Sequence, residues 1–362
     1  MAKNELYAKM PKMMPNLMKI LIVKTSSLGD VIHAMPVVND IRAQYPNVQI
    51  DWVVEEGFAD IPCMHAGVNN VFTVAMRRWK KSLFSRKTWS EISAFKKLIK
   101  QNQYDAVIDC QGLLKSALIT SQARTTIQGL IYGYDKKSIR EPIASLLYER
   151  KYAISYNQHA VTRNRVLCAI SLGYQIPTNA PNYGIAIKND GSATLMDIDS
   201  QVYTGITLSS GIDLAQLIEN KYVIALHGTS RDSKLWAIEN WVNLGRELAK
   251  QNLNLALPWA SNAELIRANL IAKQLNNATV LPKLSIKQIA NVIANAKAAV
   301  GVDTGLSHLA AALNIATIAI YTDTNPRLTG VMAGTTSSVI NLGNIGQIPS
   351  VENVFTQLKQ FL

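Results

Sequence analysis

From Met18 onward the chain alternates short apolar runs with longer stretches whose apolar residues recur at helical spacing. MKILIV, 18–23, is a continuous apolar run, as expected of a strand buried on both faces of a parallel sheet. The polar loop KTSSLGD follows, and VIHAMPVVNDIRAQYP then predicts a helix that stops at Pro46. VQIDWVV and YDAVIDC (104–110) read as further strands, with a basic helical stretch between them. The second half repeats the alternation. YVIALHG (222–228), LNLALPW (253–259), AKAAVGV (296–302) and ATIAIY (316–321) read as strands. WAIENWVNLGRELAKQ, ELIRANLIAKQL and DTGLSHLAAALN supply the intervening helices. Such alternation predicts an α/β fold with parallel sheets.

The same pattern divides the chain. Residues 1–17 hold four Met and two Pro without periodicity and are expected to be a loose extension, or a start placed upstream of Met18. Residues 18–188 predict one Rossmann-like domain, 189–220 an irregular linker region, and 221–345 a second Rossmann-like domain. Within 346–362, VENVFTQLKQFL carries a helical apolar stripe that needs a surface, either on the first domain or on its own. The expected architecture is two Rossmann-like domains facing a central cleft, with ligands at the carboxyl ends of the strands.

Composition narrows the class. The 362 residues are 48% hydrophobic and 17% charged, which fits a large buried core and excludes a disordered chain. Three cysteines (Cys63, Cys110, Cys168) are too few and scattered for a disulfide framework or a zinc site, as expected for a soluble protein of a reducing cytoplasm. No apolar run is long enough to span a bilayer. The net charge of +12 is unevenly placed. Residues 1–188 hold 25 Lys+Arg against 13 Asp+Glu, whereas 189–362 hold 12 of each. One half is therefore built to meet an anionic partner: nucleic acid, an anionic membrane or a phosphorylated substrate.

GxGxxG after a strand, GxxxxGK[ST] and GxSxG are all absent, which argues against a dehydrogenase, a P-loop kinase and an α/β-hydrolase. Three loops at strand ends remain. In Lys24-Thr25-Ser26-Ser27-Leu28-Gly29-Asp30, small residues let the backbone approach a ligand. Asp30 there is either a helix cap or a general base. In His227-Gly228-Thr229-Ser230-Arg231-Asp232-Ser233-Lys234, two hydroxyls and a lysine suit a phosphate or diphosphate, and the alternative is a polar loop with capping residues. In Asp303-Thr304-Gly305-Leu306-Ser307-His308, Asp-Thr-Gly is shared with aspartic proteases, but it occurs once and runs into a helix. A glycine turn at a helix start is a natural anion site, with His308 one turn in, where it either reaches a phosphate or packs on the sheet. A fourth feature, RRWKKSLFSRKTWSEISAFKKLIK (77–100), interleaves nine basic residues with Trp79, Leu83, Phe84, Trp89 and Phe95. It fits an anionic lipid face, an ordinary basic helix packed through its aromatics, or nucleic acid, for which no usual module is legible.

Taken together, MKILIVKTSSLGDVIHAMP, DWVVEEGFADIP, RRWKKSLFS, YDAVIDCQGLLKSA, REPIASLLYERKY, LHGTSRDSKLW, LPWASNAE and VDTGLSHLAAAL resemble, in order, the lipopolysaccharide heptosyltransferases of glycosyltransferase family 9. The resemblance runs from Met18 to about residue 325 and implies a GT-B fold. It also implies an inverting transfer of L-glycero-D-manno-heptose from ADP-heptose to the Kdo of Kdo2-lipid A in inner-core synthesis. By this resemblance Asp30 is the base, and Lys234 offsets charge on the departing diphosphate. Thr229, Ser230, Lys234, Glu264, Asp303, Thr304, Gly305 and His308 bind the donor, Glu264 at the ribose. Thr25, Ser26, Ser27, Arg77, Arg78, Lys81 and Arg140 lie on the acceptor side.

Ser230 stands where relatives often have Thr, and Gly228 where Ala is common. No DxD motif serves the diphosphate, so the expectation is no cofactor and no metal. The implied partners are ADP-heptose, Kdo2-lipid A and the anionic cytoplasmic leaflet of the inner membrane, on which a monomer without nucleic acid would sit peripherally. Two readings compete: a sister enzyme adding a later heptose, and a non-catalytic binder of anionic lipid or nucleic acid. RRWKKSLFS and REPIASLLYERKY favour the first heptose addition, and a binder gives no reason for the donor loops.

Overall fold

In a computed structural model, residues 18–187, 194–196 and 221–362 are described. The extension 1–17 and all of the 189–220 linker except 194–196 therefore lie outside the described residues. The chain divides into two compact units, Met1–Tyr203 and Thr204–Leu362.

The first unit is built on strands β1 (Lys19–Val23), β2 (Gln49–Glu55), β3 (Asn70–Val74), β4 (Gln103–Asp109), β5 (Arg124–Tyr134), β6 (Arg150–Tyr152) and β7 (Thr194–Met196). They form one sheet in the order β6-β5-β4-β1-β2-β3-β7, with every pairing parallel. The chain winds outward from β1 through β2 and β3, then returns to lay β4 on the other side of β1. The order thus reverses between β1 and β4, where α/β sheets bind ligands beyond the strand ends. Register sets what meets there: Val23, the last residue of β1, pairs with Val53 and with Asp109.

Helix α1 (Leu28–Ala34) follows β1, and α2 (Pro36–Gln44) follows it directly. The sequence predicted one helix through this stretch. Pro36 divides it because proline has no N–H to donate and takes the first position of a new helix. The basic segment likewise forms two helices, α3 (Met76–Lys81) and α4 (Arg86–Ile99), whose Trp79, Phe95 and Ile99 enter a core with Leu21, Val53, Phe72 and Tyr104.

The second unit has strands β8 (Tyr222–Leu226), β9 (Asn254–Leu257), β10 (Ala278–Val280), β11 (Ala298–Val302), β12 (Thr317–Tyr321) and β13 (Val339–Gly343) in the order β10-β9-β8-β11-β12-β13, again all parallel. Here the order reverses between β8 and β11. Helix α5 (Ile238–Ala249) buries Trp241, Val242, Leu244 and Leu248 against this sheet. The last helix, α6 (Val351–Leu358), adds Val354 and Leu358 to that same core, so these residues of its stripe pack on its own unit.

Candidate functional site

At the strand-order break of the first sheet, the loop after β1 is held from several sides. Lys24 is buried and donates from Nζ to the Cys110 carbonyl at 2.7 Å. Thr25 and Ser26 both donate their backbone amides to Oε1 of Gln111, 3.1 Å each. Lys115 donates from Nζ to Ser26 Oγ at 3.1 Å. Thr25 is fully buried and Ser26 nearly so; of the three small residues expected to face acceptor, Ser27 alone is exposed. Asp30, partly exposed in the first turn of α1, accepts from the backbone amide and the hydroxyl of Ser27, 2.8 Å each, with both bonds on Oδ2. It therefore caps the helix. Capping leaves a carboxylate able to accept a proton, so the two roles expected of Asp30 are compatible.

Beneath this loop Asp109 is fully buried and accepts four hydrogen bonds, from Gln111 N, Gly112 N, Ser116 Oγ and Tyr148 OH. Burial pushes its carboxyl above the ordinary value, against donors that favour the charged form.

The basic residues separate in role. Arg78 is forked between two carboxylates: Nε and Nη2 reach Glu56 at 3.2 and 3.0 Å, and Nη1 reaches both oxygens of Glu91 at 2.9 and 2.8 Å. The guanidinium holds Glu91 below its ordinary carboxylate range, and Trp79 Nε1 adds a bond at 2.6 Å. Arg78 thus orders the turn between α3 and α4, while Arg77 lies over the Phe58 ring at 5.2 Å. Arg77, Lys81 and Arg140 are exposed. So are Leu83 (50%), Phe84 (104%) and Trp89 (58%), a solvent-facing apolar group among the cations.

In the second unit, the loops after β8 and β11 are cross-tied. Lys234 Nζ donates to Asp303 Oδ2 at 2.6 Å, Thr324 Oγ1 donates to the same oxygen at 2.7 Å, and Thr229 Oγ1 donates to the Asp303 carbonyl at 2.9 Å. Thr304 precedes helix α7 (Gly305–Ala312) as its N-cap and Gly305 opens it; His308 is buried in its first turn. Ser230 is exposed on the loop. Glu264 accepts from the Ala260 and Ser261 amides on Oε2 at 2.7 and 3.0 Å, and a Cβ on Gly228 would stand 2.6 Å from its Oε1. The glycine therefore makes room for this carboxylate. His227 is wholly buried beside Trp241, its pKa pushed down to about 4 by burial and Arg267.

The structure brings together Thr229, Lys234, Asp303 and Thr304 as one group. Asp30 and the basic residues expected on the acceptor side belong to the other unit. Sequence reasoning missed Gln111, Lys115 and Thr324. Gln111 and Lys115 lie within the quoted YDAVIDCQGLLKSA motif, and Thr324 follows a strand end that was recognised. Among the described residues, no three His, Cys, Asp or Glu side chains gather to hold a metal ion.

The sequence model of glycosyltransferase family 9 (heptosyltransferase) matches residues 92–359. The chain is 42% identical over 313 residues to lipopolysaccharide heptosyltransferase 1 of Salmonella typhimurium, covering 86% of this chain and 91% of that one. It is 42% identical over 328 residues to the protein of the same name from Pseudomonas aeruginosa, covering 90% and 84%. Among solved structures, the E. coli heptosyltransferase WaaC with ADP superposes with a TM-score of 0.80 at 38% identity, covering 95% of this chain and 100% of that one. WaaC with ADP-2-deoxy-2-fluoro heptose gives 0.76 at 38% identity, covering 95% and 99%.

Proposed function

The chain belongs to glycosyltransferase family 9, and from that premise we propose that it moves L-glycero-D-manno-heptose from ADP-heptose onto the Kdo of Kdo2-lipid A, with inversion at the anomeric carbon. It is a GT-B glycosyltransferase of lipopolysaccharide core synthesis. The observation that carries the donor half of the reading is the Lys234–Asp303–Thr229 group beside the amino end of α7. A cation, a hydroxyl and free helix amides converge where the strand order reverses, which is the chemistry a diphosphate needs.

In this reading Asp30 takes the proton from the attacking Kdo hydroxyl, whose oxygen bonds to the anomeric carbon while the bond to ADP breaks. The charge that builds on the departing diphosphate is met by Lys234 and by the amides at Thr304 and Gly305, positioned before the reaction begins. The site works without a metal ion, Lys234 and the helix start taking the cation's part. Glu264 accepts from the ribose hydroxyls. Arg77, Lys81 and Arg140 meet the acceptor's carboxylates and phosphates, and Arg78 supports them from its carboxylate fork. The protein is a cytoplasmic monomer lying on the anionic inner leaflet through the basic first unit, where Leu83, Phe84 and Trp89 are exposed.

The test mixes purified protein with ADP-heptose and de-acylated Kdo2-lipid A, without added metal, and follows ADP release. Acceptor-dependent release is expected. Release only with an already heptosylated core would move the protein to a later addition, and silence with both acceptors would overturn the reading.

A further inference from the structure

The two loops at the strand-order break of the first sheet are joined by one side chain. Gln111, two residues past the end of β4, presents Oε1 to two consecutive amides of the loop after β1, Thr25 N and Ser26 N, 3.1 Å each. Two N–H donors can be met only by an acceptor, so the partners themselves set the orientation of this amide. The backbone amide of Gln111 donates in turn to Asp109 Oδ1 at 2.8 Å.

Asp109 is an anchor. It is fully buried, and Gly112 N at 3.1 Å, Ser116 Oγ at 2.8 Å and Tyr148 OH at 2.7 Å complete its shell. A buried carboxylate cannot shed such donors cheaply, so the start of the 110–113 loop is held rigidly to the sheet. On its far side the 24–27 loop is tied to β2, where Thr25 O accepts from Glu55 N at 3.1 Å. One residue beyond the pair of captured amides, Ser27 gives both of its donors to Asp30 Oδ2 at 2.8 Å. An unbroken chain of hydrogen bonds and backbone thus runs from Asp109 through Gln111 and Ser27 to Asp30.

We infer that Gln111 is a positioning residue for the transfer, holding the 24–27 loop in the place from which Ser27 aims the Asp30 carboxylate. The inference rests on the reading of Asp30 as the base. A base contributes through its placement, and a displacement of one ångström is enough to lose most of its effect. Gln111 need not touch either substrate, and the donor-binding residues lie in the other unit, so its removal should reach turnover and leave donor binding alone.

The experiment compares Gln111→Leu, Gln111→Ala and Gln111→Glu with Asp30→Ala. Leu and Ala remove the acceptor; Glu keeps an oxygen facing the two amides. Gln111→Leu is expected to lower kcat about 100-fold, with ADP affinity by calorimetry unchanged and hydrogen exchange at the Thr25 and Ser26 amides accelerated. Gln111→Glu should recover both kcat and protection. If Leu does not fold, Ala is read in its place. Added to Asp30→Ala, Gln111→Leu should cost nothing more. Unchanged kcat in Leu and Ala beside a strongly reduced kcat in Asp30→Ala would overturn this role alone, as would a Glu variant no better than Leu or losses that add in the residual turnover of the double variant. Full turnover in Asp30→Ala would instead overturn the base assignment, and this role with it.

Discussion

Lys234 Nζ lies 2.6 Å from Asp303 Oδ2, so one ion pair ties the loop after β8 to the loop after β11. Those strands are neighbours at the point where the strand order of the second sheet reverses. The first sheet is bridged at its own reversal, between β1 and β4, by Gln111 to Thr25 and Ser26. A reversal leaves the loops on either side diverging, which opens room for a ligand. A cross-tie there keeps the opening from relaxing, so groups aimed at a ligand are in place before it arrives.

Lys234→Ala removes the cation of this tie and leaves Asp303 to Thr324. Because the charge favours both the bound diphosphate and the leaving ADP, donor affinity and turnover should fall together, with kcat/KM down about 100-fold or more. Calorimetry with ADP-heptose and the rate of ADP release check this. Unchanged affinity and rate would remove Lys234 from the donor site.

Asp30 caps α1 and is the proposed base, and two substitutions separate the two roles. Asp30→Ala loses the capping bonds to Ser27 as well as the carboxylate, and should destabilise by about 1 kcal/mol. Asp30→Asn keeps an oxygen for Ser27 but cannot take a proton at neutral pH. The Asn variant should therefore melt near the parent temperature and bind ADP-heptose normally, yet transfer no heptose. A turnover that survives in Asn and falls in Ala only as stability falls would make Asp30 a cap and nothing more.

Strands β1, β8, β9, β11 and β12 were legible because burial on both faces makes their runs almost wholly apolar, and β2 and β4 because apolar residues still dominate around Asp51 and Asp105. Strands at or next to the sheet edges were not. Most of β5 (RTTIQGLIYGY) is polar at its exposed start, and β10 and β6 are three residues each. The Thr229–Lys234–Asp303 group was legible because its residues sit in the loops that follow recognisable strands. Gln111 was not, since a glutamine acting through backbone amides carries no charge, spacing or partner residue in the sequence. Arg78 shows the converse: a basic run predicts cations facing solvent, but nothing in it tells that Glu56 and Glu91 take this one.

His65 and His227 are buried, one in each unit, and each has its pKa pushed from 6.5 to about 4, burial being the main cause. Between those values the unfolded chain binds a proton that the folded chain refuses. Stability is therefore full above pH 6.5 and declines as pH falls toward 4, by on the order of 3 kcal/mol for each histidine. Among the described residues no side chain completes a hydrogen bond to the ring of His227, so an apolar replacement strands no buried side chain. His227→Leu should match the parent near neutral pH and exceed it near pH 5. Urea midpoints at the two pH values decide; an equal acid loss in parent and variant would show that His227 does not titrate in the unfolding.

Phe84 touches so little of its own protein that it is 104% exposed, and it stands in a segment with nine basic residues and one acid. An aromatic ring held in water among cations gains by entering an anionic bilayer, where the apolar area is removed from water and the charges meet phosphates. Trp89 is less suited to a test, because its Nε1 donates to the Leu83 carbonyl at 2.8 Å and ties the turn together. Phe84→Ser should bind vesicles of anionic phospholipid about 10-fold more weakly, while its melting temperature and its turnover on de-acylated acceptor stay near the parent values. Added salt should weaken both proteins in parallel, since the cations remain. Equal vesicle binding by parent and variant would leave the basic charge alone to hold the membrane.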